Sequence, residues 1–314
     1  MRVIVVGEGM VELSRAGDAW RAGYGGDTLN TAVHLARLGR CVAFATALGM
    51  DSFSLELRAA CLAEGLDTSL ILDDPERSCG LYAIHTDPNG ERAFQYWRGQ
   101  SAARGMFDLP GSAAWAASIE QADLLYFSAI TMAILPVAGR MRLLDVAGSV
   151  RRRGGRVAFD GNYRPRLWRD PAEAQYYRDA AIAVADIGLP TFDDEQALSG
   201  FADADAVARH WQRLGAIETV VKLGAQGCRL PDGDVVSPPV ILQPVDTSGA
   251  GDAFNAGYLH AWMSDAPPAE AALNGHRLAG WVVGRRSALP PHAGSIYQDL
   301  RNDLESPKSV SNEA

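Results

Sequence analysis

The sequence predicts an α/β fold: a mainly parallel central sheet covered by helices on both faces, with a small β-sheet lid attached. Three observations predict it. Short β-rich apolar runs alternate with helical stretches along most of the chain, the pattern of βαβ units whose strands are buried on both faces. Two stretches, residues 12–26 and 80–102, break that rhythm by alternating polar and apolar residues, the period of a half-exposed sheet. The 314 residues are 47% hydrophobic, enough for one large core, and α/β folds of this length commonly form a single domain with an insertion.

The first strand is Met1-Arg2-Val3-Ile4-Val5-Val6-Gly7, an apolar run too short for a signal peptide. Residues 12–26 follow as lid, with a turn signal at Ala16-Gly17-Asp18. Residues 28–38 predict a helix whose apolar stripe is Leu29, Ala32, Val33, Leu35, Ala36 and Leu38. A second body strand over 41–48 runs through Gly49-Met50-Asp51-Ser52-Phe53 into a helix ending near Leu62. Residues 81–86 and 92–98 read as a hairpin around Asp87-Pro88-Asn89-Gly90. Further strands are expected at 124–128, 156–160, 187–189 and 219–223, with helices at 137–153, 173–184 and 203–214 between them. The expected organisation is one domain over 1–303, with a lid from 12–26 and 80–102 and a polar, frayed tail over 304–314.

Composition narrows the function. Twenty-nine basic against 38 acidic residues give a net charge of −9, which argues against nucleic acid or an anionic membrane as partner. No apolar run approaches the length of a bilayer span, and a cytoplasmic location is expected. Cys41, Cys61, Cys79 and Cys228 are scattered without a Cys-x-x-Cys pair, so free thiols are expected. The six histidines form no metal-binding motif.

The chemistry concentrates near the C-terminal end, in Val245-Asp246-Thr247-Ser248-Gly249-Ala250-Gly251-Asp252-Ala253-Phe254-Asn255-Ala256-Gly257. Gly249, Ala250 and Gly251 leave their backbone N–H groups unobstructed, and the apolar spacing that follows makes this turn a helix start. Such a start offers unpaired donors and a partial positive charge to phosphate. Asp252, in the first turn, is placed to accept a proton from a facing hydroxyl. The plainer alternative is a helix capped by Asp246 or Thr247. Neither a Walker-type loop nor a complete dinucleotide fingerprint is present, since Glu12 stands where the third glycine would be.

Four other constellations accompany this turn. In Gly25-Gly26-Asp27-Thr28-Leu29-Asn30, the glycines suit a hinge, and Asp27 and Asn30 suit sugar hydroxyls, unless Asp27 or Thr28 is only a cap. The hairpin brings Tyr82, Tyr96 and Arg98, the last two on one face of a strand, and an arginine fork suits a carboxylate or phosphate. Asp160-Gly161-Asn162-Tyr163-Arg164-Pro165-Arg166-Leu167-Trp168 and Lys222-Leu223-Gly224-Ala225-Gln226-Gly227 each follow a strand, where parallel sheets present ligands. Thr191-Phe192-Asp193-Asp194-Glu195 offers carboxylates for magnesium waters, or only an acid-rich helix start. Arg151, Arg152 and Arg153 are read as a solvated helix C-terminus.

Taken together, these residues resemble the ribokinase-like, or PfkB-type, carbohydrate kinases, over nearly the whole chain. The resemblance rests on Gly25-Gly26, Gly49-x-Asp51-x-Phe53 and Asp246-Thr247-x-Gly249-Ala250-Gly251-Asp252. Within that family, Gly7-Glu8-Gly9-Met10-Val11-Glu12-Leu13, residues 25–30, Tyr96-Trp97-Arg98 and residues 162–168 are similar to the 2-keto-3-deoxygluconate kinases. The resemblance implies a ribokinase-like three-layer fold and ATP-dependent transfer, with Mg²⁺, to the 6-hydroxyl of that sugar acid. It implies Asp252 as base and Gly249, Ala250 and Gly251 as anion hole. Gly26, Asp27, Asn30, Tyr82, Tyr96, Arg98 and Arg164 would hold the sugar acid. Asn162, Arg164, Lys222, Gly224, Gly227, Gly249 and Gly251 would hold ATP. Asp194 and Glu195 would reach the metal through water, although the family's Asn-x-x-Glu reads Thr191-Phe192-Asp193-Asp194 here. Exposed lid edges lead us to expect a homodimer or higher homo-oligomer. Another sugar kinase of the family, or a sugar-acid sensor without catalysis, are the other readings.

Overall fold

The computed structural model describes residues 1–16, 19–86, 92–291 and 295–305. The chain opens with β1 (Arg2–Val6), β2 (Met10–Ala16), β3 (Ala19–Gly25), α1 (Asp27–Arg37), β4 (Cys41–Gly49), α2 (Ser52–Ala63) and β5 (Ile71–Asp74). It continues through β6 (Gly80–Thr86), β7 (Arg92–Trp97), α3 (Ser112–Ile119), β8 (Leu124–Ser128), α4 (Ala129–Ile134), α5 (Val137–Arg152) and β9 (Arg156–Asp160). Next come α6 (Pro171–Ala183), β10 (Ile187–Gly188), α7 (Phe192–Ser199), α8 (Ala204–Leu214), β11 (Glu218–Thr219) and β12 (Val221–Lys222). The last elements are β13 (Cys228–Arg229), β14 (Val235–Val236), α9 (Ala250–Trp262), α10 (Pro268–Val283) and α11 (Ile296–Glu305).

Seven strands form the central sheet in the order β11-β10-β9-β8-β1-β4-β5, and every neighbouring pair is parallel. Alternate residues of β1 show why both faces are covered. Val3 and Val5 point into an apolar core with α1, α9 and α10, while Ile4 and Val6 point into a second core with α4, α5 and α6. A strand buried on both sides has no polar positions to alternate, as its sequence indicated. The chain builds outward from β1 to β4 and β5, then returns to β8 on the other side, so the strand order reverses between β1 and β8. Ligands of such sheets sit beyond the carboxyl ends of the strands at that reversal.

The lid is a four-stranded sheet, β3-β2-β6-β7. Its hairpins pair antiparallel, and β2 runs parallel to β6. Met10, Tyr82 and Ile84 form a small buried cluster on its inner side. The turn positions expected at 17–18 and 87–90 lie outside the described residues, as do His292 and the tail from 306 onward.

Some expectations need correction. The run at 219–223 is not one strand. β11 completes the central sheet, whereas β12 starts a separate antiparallel sheet, β12-β13-β14. The 304–314 tail begins too early, because α11 carries regular helix through Leu304 and Glu305. Strands β5, β13 and β14 and helices α3, α4, α10 and α11 are not expected from the sequence, and α7 is expected only as the acid-rich helix start that is the alternative for 191–195. Most are too short for a period to show in sequence.

Candidate active site

Helix α9 begins at Gly249, which has φ of +72° and no side-chain cap. Neither Asp246 nor Thr247 caps it. Asp246 instead accepts from the backbone N–H groups of Ser248 at 3.0 Å and Ser287 at 2.8 Å, fixing the loop before the helix. A Cβ at position 249 would lie 2.5 Å from the Cβ of Ala288, so glycine is required there by both φ and space. Gly251 leaves open the space toward Lys222, whose Nζ would lie 3.8 Å from a Cβ at 251.

Asp252 follows in the first turn and is buried, at 7% exposure. Asn30 of α1 donates its side-chain N–H to the Asp252 carboxylate at 2.8 Å, and the Thr31 hydroxyl donates to the Asp252 backbone carbonyl at 3.3 Å. Burial, reinforced by the negative charge of Asp27, pushes the Asp252 carboxyl up to about 8. Asp27 itself is raised by burial, against the opposing hydrogen bond from Ser128.

Behind the turn lies a buried polar network. Lys222 donates to Asp160 at 2.9 Å and to the Asn255 side-chain carbonyl at 3.0 Å. The Asn255 amide donates to Asp160 and to the Tyr126 hydroxyl, both at 3.0 Å. Asn255 is one helical turn beyond Asp252 and shares its face, so α9 holds the carboxylate and the lysine network together.

The surrounding cleft has a volume of about 1340 Å³. Gly26, Asp27, Asn30, Asp160, Asn162 and Asp252 line its floor, and Tyr82, Phe94, Tyr96 and Arg98 line the lid side. Gly26 caps α1 with φ of +144°, and a Cβ there would lie 2.2 Å from the Glu8 carbonyl oxygen. The Asn162 amide donates to Asp27 at 3.4 Å. Gly224 and Gly227 have φ of +60° and +111° and bracket the turn beside Lys222, at the other end of the cleft. That end is bordered by an apolar segment including Val240, Ile241 and Leu242, of which Ile241 is 86% exposed.

The pfkB family carbohydrate kinase domain matches residues 2–293. The chain belongs to the pfkB family of carbohydrate kinases. This kinase is 40% identical over 299 residues to the 2-dehydro-3-deoxygluconokinase of Dickeya dadantii (strain 3937), covering 92% of this chain and 96% of the relative. The PfkB protein of Polaromonas sp. JS666 has a TM-score of 0.80 with 30% identity over 98% of this chain and 100% of that one. The fructokinase of Vibrio cholerae O395, solved with fructose, ADP and calcium ion, has a TM-score of 0.81 with 26% identity over 95% and 98% of the chains.

In this pfkB kinase the sequence-derived residues converge on one cleft, with one exception. Glu195 does not line it. Its carboxylate accepts from Arg178 at 2.7 Å and is buried in the body, because α7 turns successive acids about 100° apart and Arg178 of α6 takes the inward one. Asp193 and Asp194 remain on the cleft side. Other residues are already engaged by the protein. Arg98 lies just past the end of β7 and is ion-paired with buried Glu8. Tyr82 donates its hydroxyl to Glu12, and Arg164 donates to both oxygens of Asp194 at 3.3 Å. Among the described residues, no cluster of three or more His, Cys, Asp or Glu side chains is arranged for a metal, and no helix is long and apolar enough to cross a membrane.

Sequence reasoning gave no role to Glu8, Thr31, Asp160 or Asn255. Only Asn255 carried a usable signal, its one-turn spacing from Asp252 inside the glycine signature. The others are joined to the site by contacts far apart in sequence.

Proposed function

We propose that this kinase transfers the γ-phosphoryl group of ATP to the 6-hydroxyl of 2-keto-3-deoxygluconate, giving 2-keto-3-deoxy-6-phosphogluconate and ADP. The observation that carries the reading is the Asp252 carboxylate, held by Asn30 at the start of α9 beside the open 249–251 turn. The 40% identical Dickeya relative, named for the same sugar acid under its alternative name, supports the substrate. Arg98 and Arg164 in the cleft supply the cations that a sugar acid needs and a neutral sugar does not. Gly26, Asp27, Asn30, Tyr82 and Tyr96 hold the remaining sugar hydroxyls.

Asp252 takes the proton from the 6-hydroxyl as that oxygen bonds to phosphorus. The Gly249 and Gly251 amides stabilise the charge on the transferring group, joined by the Ala250 amide when it leaves its 3.3 Å hydrogen bond to the Thr247 carbonyl, a term of about 2.7–4 kcal/mol per donor. Asn162, Lys222, Gly224 and Gly227 hold the nucleotide together with Arg164. The residues present fit a nucleotide with Mg²⁺. The space at Gly251 would be filled by a Cβ directed at Lys222, and Asp193 and Asp194 offer hard oxygen donors at the cleft. Asp194 would act through water, and Mg²⁺ would neutralise phosphate charge when bound. The fructokinase solved with ADP and calcium supports a nucleotide and a divalent ion in such a cleft.

We further read residues 1–305, through the end of α11, as one cytoplasmic domain with a lid. Trp20 on β3 and Trp97 on β7 are 47% and 54% exposed on the lid's edge strands, which supports pairing of two lids in a homodimer. The function is tested by incubating the enzyme with ATP, Mg²⁺ and 2-keto-3-deoxygluconate and locating the new phosphate by phosphorus–proton coupling. A product phosphorylated at carbon 6 is expected. Phosphate at another carbon, or no product, would contradict the reading.

A further inference from the structure

One side of α1 carries three polar groups at helical spacing: Asn30, Thr31 and His34. Asn30 and Thr31 hold the side chain and the backbone carbonyl of Asp252. His34 reaches further along the same interface. It has 0% exposure, with Nε2 3.2 Å from the Ala288 carbonyl oxygen and Nδ1 2.9 Å from the Tyr297 hydroxyl of α11.

These two partners fix the tautomer. A carbonyl oxygen only accepts, so Nε2 carries the proton and Nδ1 accepts from the Tyr297 O–H. Arg37 donates to the same Tyr297 hydroxyl at 3.2 Å and to the Pro290 carbonyl at 2.8 Å, tying the loop on both sides of Leu289 to α1. Burial, with the Arg37 charge adding to it, pushes the His34 imidazole down to about 3, so it stays neutral at working pH.

Ala288 is the residue on which the 249–251 turn rests. A Cβ at Gly249 would come within 2.5 Å of the Ala288 Cβ and 2.9 Å of its Cα. The carbonyl that His34 holds therefore belongs to the residue backing the first amide of the turn. We propose that His34 is a positioning residue for phosphoryl transfer: by donating to the Ala288 carbonyl it sets the anion turn, so that α1 aligns that turn and Asp252 as one unit. The proposal rests on reading the 249–251 turn as the phosphoryl-binding element.

The test compares His34→Leu, His34→Gln and Tyr297→Phe with the wild type, and includes Gly251→Val as a probe of the turn itself. His34→Leu removes the donor and is expected to lower kcat about tenfold to a hundredfold, since small misplacements cost rates of that order. KM for the sugar acid should stay near wild type while KM for ATP rises. His34→Gln keeps an amide donor and should regain most of kcat. Tyr297→Phe, which keeps the packing, should lower kcat in the same direction by less, and it carries the test if His34→Leu does not fold. A buried histidine with only a structural role would lower Tm but leave kcat per folded enzyme and KM for ATP unchanged in both variants, and that result overturns the proposal. A Gly251→Val enzyme with wild-type kcat would remove the turn from the chemistry, and this inference with it. A collapsed Gly251→Val kcat beside unaltered His34→Leu and Tyr297→Phe kinetics would reject the role of His34 alone.

Discussion

Asp252, the proposed general base, has a partner that orients it and an environment that raises its affinity for a proton. Asn30 supplies the first, and burial beside Asp27 the second. Replacing Asp252 with Asn keeps an acceptor for Asn30 but removes the base, and kcat is expected to fall about 10²–10⁴-fold. With the carboxyl pushed up to about 8, kcat/KM for the sugar acid should rise with pH and level off above that value. A profile flat from pH 6 to 9, measured at saturating nucleotide, would remove Asp252 from the proton transfer. Arg98 presents a different case, because its ion pair with Glu8 is buried on both sides. Arg98→Ala should raise KM for the sugar acid far more than KM for ATP. It should also cost about 3–5 kcal/mol of stability by leaving Glu8 unpaired. Adding Glu8→Gln should recover much of the stability and none of the sugar-acid affinity. Denaturant unfolding and steady-state kinetics on the three variants separate the two roles.

At the scale of elements, the site is where two helix starts meet. Both α1 and α9 begin at a glycine with positive φ, Gly26 and Gly249. They carry Asn30 and Asp252 inward to within hydrogen-bonding distance. Each glycine is held against its neighbour closely, Gly26 on the Glu8 carbonyl and Gly249 on Ala288. Gly249→Ala should therefore destabilise the protein by at least about 1–2 kcal/mol from the left-handed backbone alone, with a further cost from displacing Ala288. On the proposed role of the turn its kcat should fall together with kcat/KM, the signature of an interaction made only in the transition state. A Gly249→Ala enzyme with unchanged Tm and kcat would mean that the turn is neither tightly packed nor catalytic.

Across the whole molecule, the site gathers acids at the carboxyl ends of β1, β8 and β9, with consequences for stability. Asp252 and Asp27 both bind their protons more tightly folded than unfolded. Below the ordinary carboxylate range both states are protonated and the stability tied to these buried neutral carboxyls is fully present. As pH rises toward 8 the unfolded chain releases these protons first, so their contribution is progressively lost. Asp252→Asn has no such charge to bury. It should raise Tm by an amount that is small near pH 4 and largest near pH 8, as read by calorimetry across that range. A gain that shrinks with rising pH would contradict the assigned environment.

The layout of the body was largely legible because its strands are buried on both faces and its helices carry single apolar stripes. The run Val3 to Val6 and the stripe from Leu29 to Leu35 state their environments directly. The glycine turn was legible as a helix start for another reason, since the residues that form it lie within a few positions. Less could be read where partners are distant. Nothing local marks Glu8 as the partner of Arg98, 90 positions away, or turns Glu195 toward Arg178 rather than the cleft. The division of 219–223 between two sheets depends equally on neighbours that the segment does not contain.

The most direct test of the central claim is ADP release with ATP and Mg²⁺, comparing 2-keto-3-deoxygluconate, its galactonate epimer, fructose and ribose, with Asp252→Asn as control. We expect turnover of the keto-deoxy acids alone, lowered about 10²–10⁴-fold in the Asp252→Asn enzyme. Turnover of fructose or ribose in preference, or turnover that the substitution leaves near the wild-type rate, would contradict the account of a carboxylate-reading cleft served by Asp252.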